Sequence, residues 1–232
     1  MQLIGLLGGL SPEAVGAYYR IMNDYTRKAL GDGRSARILL HSIDSGDAEG
    51  DARDRSELDS VLTSGASSLK AGGADFFLAA DRRIHQVAEG LAAASGLDLL
   101  HIADPVGAEM KKDGCTQVAL FGTQQSAEDD YFSDRLASSY GISVIAPDEA
   151  QSREMERILT EEVAQGILHS ESRAFAAETI VALRDRGAQA VVIECALIGM
   201  IVPPDSDVIP AYDATRLHAR AAVRRAIGGN HG

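Results

Sequence analysis

The chain has 232 residues, 45% hydrophobic and 24% charged, enough to bury one large core or two smaller ones. Its formal charge of −12 argues against a general nucleic-acid or anionic-membrane binder, so an anionic ligand must be met by local arginines or backbone N–H groups. Two cysteines, Cys115 and Cys195, give neither a disulfide framework nor zinc spacing, and we expect a cytoplasmic protein with no metal.

In chain order, "MQLIGLLGGL" opens on an apolar run that glycines interrupt early, which reads as a first strand and not a leader peptide. No apolar run reaches the length of a membrane span. Short apolar runs predict strands over residues 3–7, 37–43, 75–79, 97–101, 117–121, 142–146 and 190–193. Amphipathic spacing predicts helices over 12–30, 58–71, 127–140, 152–166 and 171–187, and the segment "DATRLHARAAVRRAIGG" is helical in pattern too. "SPEA" puts Ser11 where a helix cap belongs, ahead of a proline and a glutamate. Strands alternating with helices predict βα units and a mostly parallel sheet.

The chain repeats itself. "IGLLGG" at Ile4–Gly9 matches "VALFGT" at Val118–Thr123, and "GADFFLAAD" at Gly73–Asp81 matches "GAQAVVIEC" at Gly187–Cys195, both at an offset of 114 residues. Between them "RILLHSID" matches "GISVIAPD" at an offset of 104, so one ten-residue length difference opens and closes again. Such a repeat sets the architecture. The expected fold is α/β with two pseudo-symmetric, doubly wound parallel-sheet halves and the active site in the cleft between them. Residues 1–103 with 208–232 form one half, and residues 104–207 form the other. The helix-patterned segment near residue 220 is surplus to the second repeat and is expected to pack back on the first half.

In open parallel sheets ligands bind beyond the carboxyl ends of the strands. The repeat places Gly9, Asp81, Thr123 and Cys195 at such ends, with Asp81 and Cys195 equivalent to each other. Two proton-carrying side chains on opposite sides of a carbon can remove a proton from one face and deliver one to the other. With "IGLLGGLSPEAVGAYYR", "HIADPVG", "VALFGT", "LIGMIVP" and "IPAYDATRLHARAAV", nearly the whole chain resembles the aspartate/glutamate racemase family, which works without pyridoxal phosphate or another cofactor. That resemblance implies a catalytic cysteine after each of the paired strands, a small-molecule carboxylate or amino-acid substrate, and a homodimer. Its second cysteine falls on Cys195. The first falls on Asp81, where the family has Cys-Asn-Thr and this chain has Asp81-Arg82-Arg83, with His85 closing the motif as the family does. The usual Gly-Cys-Thr-Glu has become Glu194-Cys195-Ala196-Leu197.

An ordinary aspartate is ionised at neutral pH and an ordinary thiol protonated, so the pair starts as base and acid in one direction. The opposite state lies roughly 6 kcal/mol uphill before the environment acts, which suits one-way or slow isomerisation better than free reversal. Asp81 also occupies a natural helix-cap position, and a cap can still do chemistry. Arg82 and Arg83 read as solvated helix residues or, facing a substrate, as a carboxylate clamp. Gly9 and Ser11 on the first wall, and Thr123, Ser126 and Ala196 on the second, are the candidate binding positions at strand-to-helix turns. The loop "DSGDAEGDARDRSELD" offers Arg53 and Arg55 as alternatives for the family's substrate arginine, whereas its late substrate lysine has no counterpart near "TEEVAQG". The leading expectation is a cofactor-independent isomerase acting beside a carboxylate. A single-cysteine decarboxylase of the same superfamily and a non-catalytic carboxylate-binding descendant are the alternatives.

Overall fold

The computed structural model describes residues 1–44, 55–121, 131–194, 198–202 and 208–228. The chain divides into two compact units, one made of Met1–Ile102 with His218–Gly232 and the other of Ala103–Leu217.

The first unit is built on a parallel three-stranded sheet in the order β2-β1-β3, with β1 at Ile4–Gly8, β2 at Ile38–Ser42 and β3 at Phe76–Ala79. Ile4 pairs with both Ile38 and Phe76. β1 and β3 are buried along their whole length, as a strand covered on both faces must be, and this is why they read as unbroken apolar runs. Alternate residues serve opposite faces. Ile4, Leu6, Phe76 and Leu78 pack with Tyr18 and Met22 of helix α1 (Pro12–Leu30) and with Ala219, Ala222 and Val223 of helix α10 (Ala214–Ala226). Leu7, Phe77 and Ala79 pack on the other face with Leu62, Ala66 and Leu69 of α2 (Arg55–Ala71) and Leu91 of α4 (Ala88–Ser95). A four-residue helix, α3 (Arg82–His85), lies between β3 and α4.

α1 shows how local chemistry fixes an element. Ser11 caps it, accepting from the Ala14 amide, Pro12 opens its first turn, and Arg27 and Lys28 sit in its last turn against the carboxyl end of the helix dipole. Gly31, at φ +94°, ends it.

The second unit has a parallel four-stranded sheet in the order β5-β4-β6-β7, with β4 at Gln117–Phe121, β5 at Ser143–Ile145, β6 at Val191–Ile193 and β7 at Ala211–Asp213. Its first three strands repeat the order of the first unit, the strand nearest each unit's start lying between the next two. Phe121 pairs with Ile193 as Leu7 pairs with Ala79. Ala119, Phe121, Val191 and Ile193 form a core with Met155, Ile180, Leu183 and Ile198, drawn from α7 (Glu149–Arg157), α8 (Ser170–Asp185) and α9 (Ile198–Ile201). α5 (Ala103–Lys112) is joined to α6 (Tyr131–Tyr140) by a two-pronged bridge, Arg135 to Asp104 at 2.7 and 2.8 Å, to which the Tyr140 hydroxyl adds a third bond at 3.3 Å. Burial and the Asp104 carboxylate push the Tyr140 phenol above its ordinary range.

Several elements differ from their sequence reading, among them α4 and α5, where no helix was expected. Residues 97–101 make only one bridge, Leu99 to Phe77, because Phe77 alone supplies their two ladder bonds before the chain turns into α5. β7 was not expected, since three residues carry too little pattern to register. The helix expected over 152–166 starts at Glu149, behind a capping box in which Asp148 and Gln151 satisfy each other's backbone, and then widens into a π turn at Ile158–Glu162. That turn buries Glu162, whose carboxylate accepts from Ser172 at 2.6 Å, Arg157 at 3.1 Å and the His169 amide at 3.4 Å.

Candidate functional site

Parallel pairing brings the carboxyl ends of β1 and β3 to one edge of the first sheet. The Ala80 amide donates to Leu7 at 2.8 Å and the Ile43 amide to Gly8 at 2.7 Å, so the turns after β1, β2 and β3 leave side by side. Gly9, Ser11 and Asp81 therefore share that edge. Gly9 is buried at φ +116°, and a Cβ there would stand 2.0 Å from the Ile43 carbonyl oxygen, so only glycine lets the β1–α1 turn meet the end of β2. The Ser11 hydroxyl caps α1 and also donates to Glu13 at 3.4 Å. Asp81 is half-buried directly ahead of α3, and its carbonyl accepts from the Ile84 amide at 3.3 Å.

The same construction brings the ends of β4 and β6 together in the second unit. Glu194, the last described residue before Cys195, is buried and accepts a hydrogen bond from Tyr131 at 3.0 Å. Sequence reasoning gave Glu194 no role, yet the repeat aligns it with apolar Ala80, and a charge in an apolar register was the available signal. His101 was also passed over; its ring stands 4.9 Å from that of His85.

Arg53, Thr123, Ser126, Cys195 and Ala196 lie outside the described residues. The backbones of Arg55, Arg82 and Arg83 open α2 and α3, and their side chains lie outside the described set. Near "TEEVAQG" the structure supplies a cation, Arg157, but three carboxylates engage it: Glu154 at 2.8 Å, Glu162 at 3.1 Å and Glu161 at 3.3 Å. It is thus a structural hub and not a substitute for a substrate lysine. Among the described residues no group of three His, Cys, Asp or Glu side chains could hold a metal ion, and no helix is long and apolar enough to cross a membrane.

Two parallel sheets flanked by helices, with the turns after β1, β2 and β3 gathered at the carboxyl edge of the first, define an α/β protein of the kind that places small-molecule chemistry at strand ends. The chain belongs to the Asp/Glu/hydantoin racemase family, whose model matches residues 7–222. It is similar to a Yersinia pestis protein assigned as an Asp/Glu racemase, at 35% identity over 98% of this chain and 100% of that one, with a TM-score of 0.91. An aspartate racemase homologue from Pyrococcus horikoshii shares the fold at 22% identity and a TM-score of 0.89, covering 98% of this chain and 100% of its own. Unliganded arylmalonate decarboxylase shares it more distantly, at 15% identity, 99% and 94% coverage and a TM-score of 0.53.

Proposed function

We propose that the chain is a cofactor-independent isomerase that exchanges the α-proton of a small amino acid of the aspartate or glutamate type, or of a related carboxylate. The observation that carries this reading is the position of Asp81, half-buried at the end of β3, the strand that the repeat and the shared strand order match to β6, after which Cys195 follows. In the proposed reaction the Asp81 carboxylate takes the α-proton, leaving an enediolate on the substrate and a neutral carboxylic acid on the protein. The Cys195 thiol then gives its proton to the opposite face, and the enediolate electrons form the new C–H bond as a thiolate is left behind. Proton exchange with water resets both groups. The substrate carboxylate is held at the Gly9 turn and by an arginine among Arg53, Arg55, Arg82 and Arg83, with Thr123, Ser126 and Ala196 completing the second wall. We further propose a cytoplasmic homodimer, as the family resemblance implies.

The test is proton NMR in heavy water with a panel of D- and L-amino acids and simple malonates. Loss of the α-proton signal with the carbon skeleton intact, abolished in Cys195→Ala and Asp81→Asn, is the expected result. Loss of carbon dioxide that survives Asp81→Asn but not Cys195→Ala makes the protein a decarboxylase. Ligand binding without exchange in any variant makes it a binding protein and ends the isomerase reading.

A further inference from the structure

Behind the Asp81 turn the first unit buries three histidines that the proposed reaction does not use. His85, His101 and His218 are 3%, 6% and 0% exposed. The His85 ring lies 4.9 Å from His101 and 5.4 Å from His218, edge to face in both cases. Each comes from a different part of the chain: His85 ends α3, His101 precedes α5, and His218 lies on α10.

The partners fix the outer ring. His218 Nε2 faces the Leu100 carbonyl at 2.8 Å, an acceptor, so that nitrogen carries the proton. Its Nδ1, 2.8 Å from the Tyr18 hydroxyl, is then the acceptor, and Tyr18 donates. Both nitrogens are thereby committed and the ring is a fixed wall. The same logic applies to His85, whose Nε2 faces the Ala79 carbonyl at 3.4 Å and donates to it. Ala79 is the last residue of β3, two residues before Asp81. The turn carrying Asp81 is thus closed twice, once by the Ile84 amide on the Asp81 carbonyl and once by His85 on Ala79. A ring clamped between two others can shift little, so it holds the strand end and the short helix in one relative position.

We propose that His85 is a positioning residue for Asp81, acting through its Nε2–H on the Ala79 carbonyl, with His101 and the Tyr18–His218 pair holding its ring in place. This rests on the reading of Asp81 as an acid/base group, but its physical core, the fixing of the turn, does not. His85→Phe keeps a flat ring and removes the donor, whereas His85→Gln keeps an N–H near the Nε2 position and removes the ring. In α-proton exchange, Phe is expected to lower kcat about tenfold or more with KM changed less than about twofold, and Gln to recover it to within about threefold of the parent, since small displacements of a reacting group are costly. Hydrogen–deuterium exchange of the peptide over residues 79–86, on protein without substrate, is expected to quicken in the Phe variant and to stay at the parent rate in the Gln variant. An unchanged kcat in His85→Phe, a Gln variant no better than Phe, or unchanged deuterium uptake across the turn overturns the proposal. If the parent protein exchanges no α-proton at all, the isomerase reading fails, and the deuterium uptake still decides the role of His85.

Discussion

Gly9→Ala offers a sharp test of how the candidate site is built. At φ +116° an L-residue is strained by about 1–2 kcal/mol whatever surrounds it. Here the added methyl would also stand 2.0 Å from the Ile43 carbonyl oxygen and 2.4 Å from its nitrogen, and a backbone cannot swing aside as a side-chain tip can. Forcing β2 away adds an overpacking cost of about 1–3 kcal/mol. Gly31→Ala is the internal control, because Gly31 has φ +94° and nothing within 4 Å of a built Cβ, leaving strain alone. The two variants should differ by about 2 kcal/mol, which for a chain of this size is about 4–8 °C in melting temperature. Circular dichroism melts measure the gap, and hydrogen exchange across residues 38–44 places it. A Gly9→Ala protein that melts with Gly31→Ala, and leaves β2 as protected as before, would refute the close approach at this turn.

Further outcomes follow from the second unit. Asp104→Asn removes the carboxylate that, after burial, most raises the Tyr140 phenol, so phenolate should appear at lower pH by near-ultraviolet difference absorbance. The same change should cost about 1 kcal/mol, since the Arg135–Asp104 bridge is only partly buried. Glu162 is held below the ordinary carboxylate range, chiefly by the Ser172 hydroxyl and then by the His169 amide and Arg157, against its own burial. The folded chain therefore binds fewer protons there than the unfolded one, so this stabilisation is complete above the ordinary carboxylate pKa of about 4.3 and fades as pH falls through the lower native value. Urea midpoints of Glu162→Gln and parent protein should stand apart at neutral pH and draw together on acidification; a gap that widens in acid contradicts the assignment.

Much of the fold was legible because fully covered parallel strands and capped helices leave strong marks. Helix α1 falls on residues 12–30 as expected, from Ser11, Pro12 and the stop at Gly31. Strand β4 falls on 117–121 as expected, and the repeat between "IGLLGG" and "VALFGT" corresponds to the middle strand of each unit's matched trio. Residues whose role lies in partners far along the chain were less legible. Nothing local tells that Glu194 meets Tyr131, 63 positions away, or that His101 lies against His85. Ser11 shows a further limit: a polar side chain at a strand-to-helix turn is written alike whether it caps a helix or awaits a ligand. The π turn at Ile158–Glu162 was invisible for a related reason, because its helical period changes by one residue within a single turn.

The placement of α10 has a consequence for biosynthesis. Ala219, Ala222 and Val223 cover Ile4 and Leu6, and the Gln2 amide bonds to the Ala226 carbonyl at 2.8 Å. A ribosome makes residue 4 more than two hundred peptide bonds before residue 219, and the whole contiguous unit Ala103–Leu217 is translated in the interval. The unit begun first is therefore the last that can be finished, and its nascent sheet must wait with one apolar face only partly covered, by α1. Joining residue 226 to residue 2 by a short linker, with new ends cut elsewhere, would let that unit emerge from the ribosome in one piece.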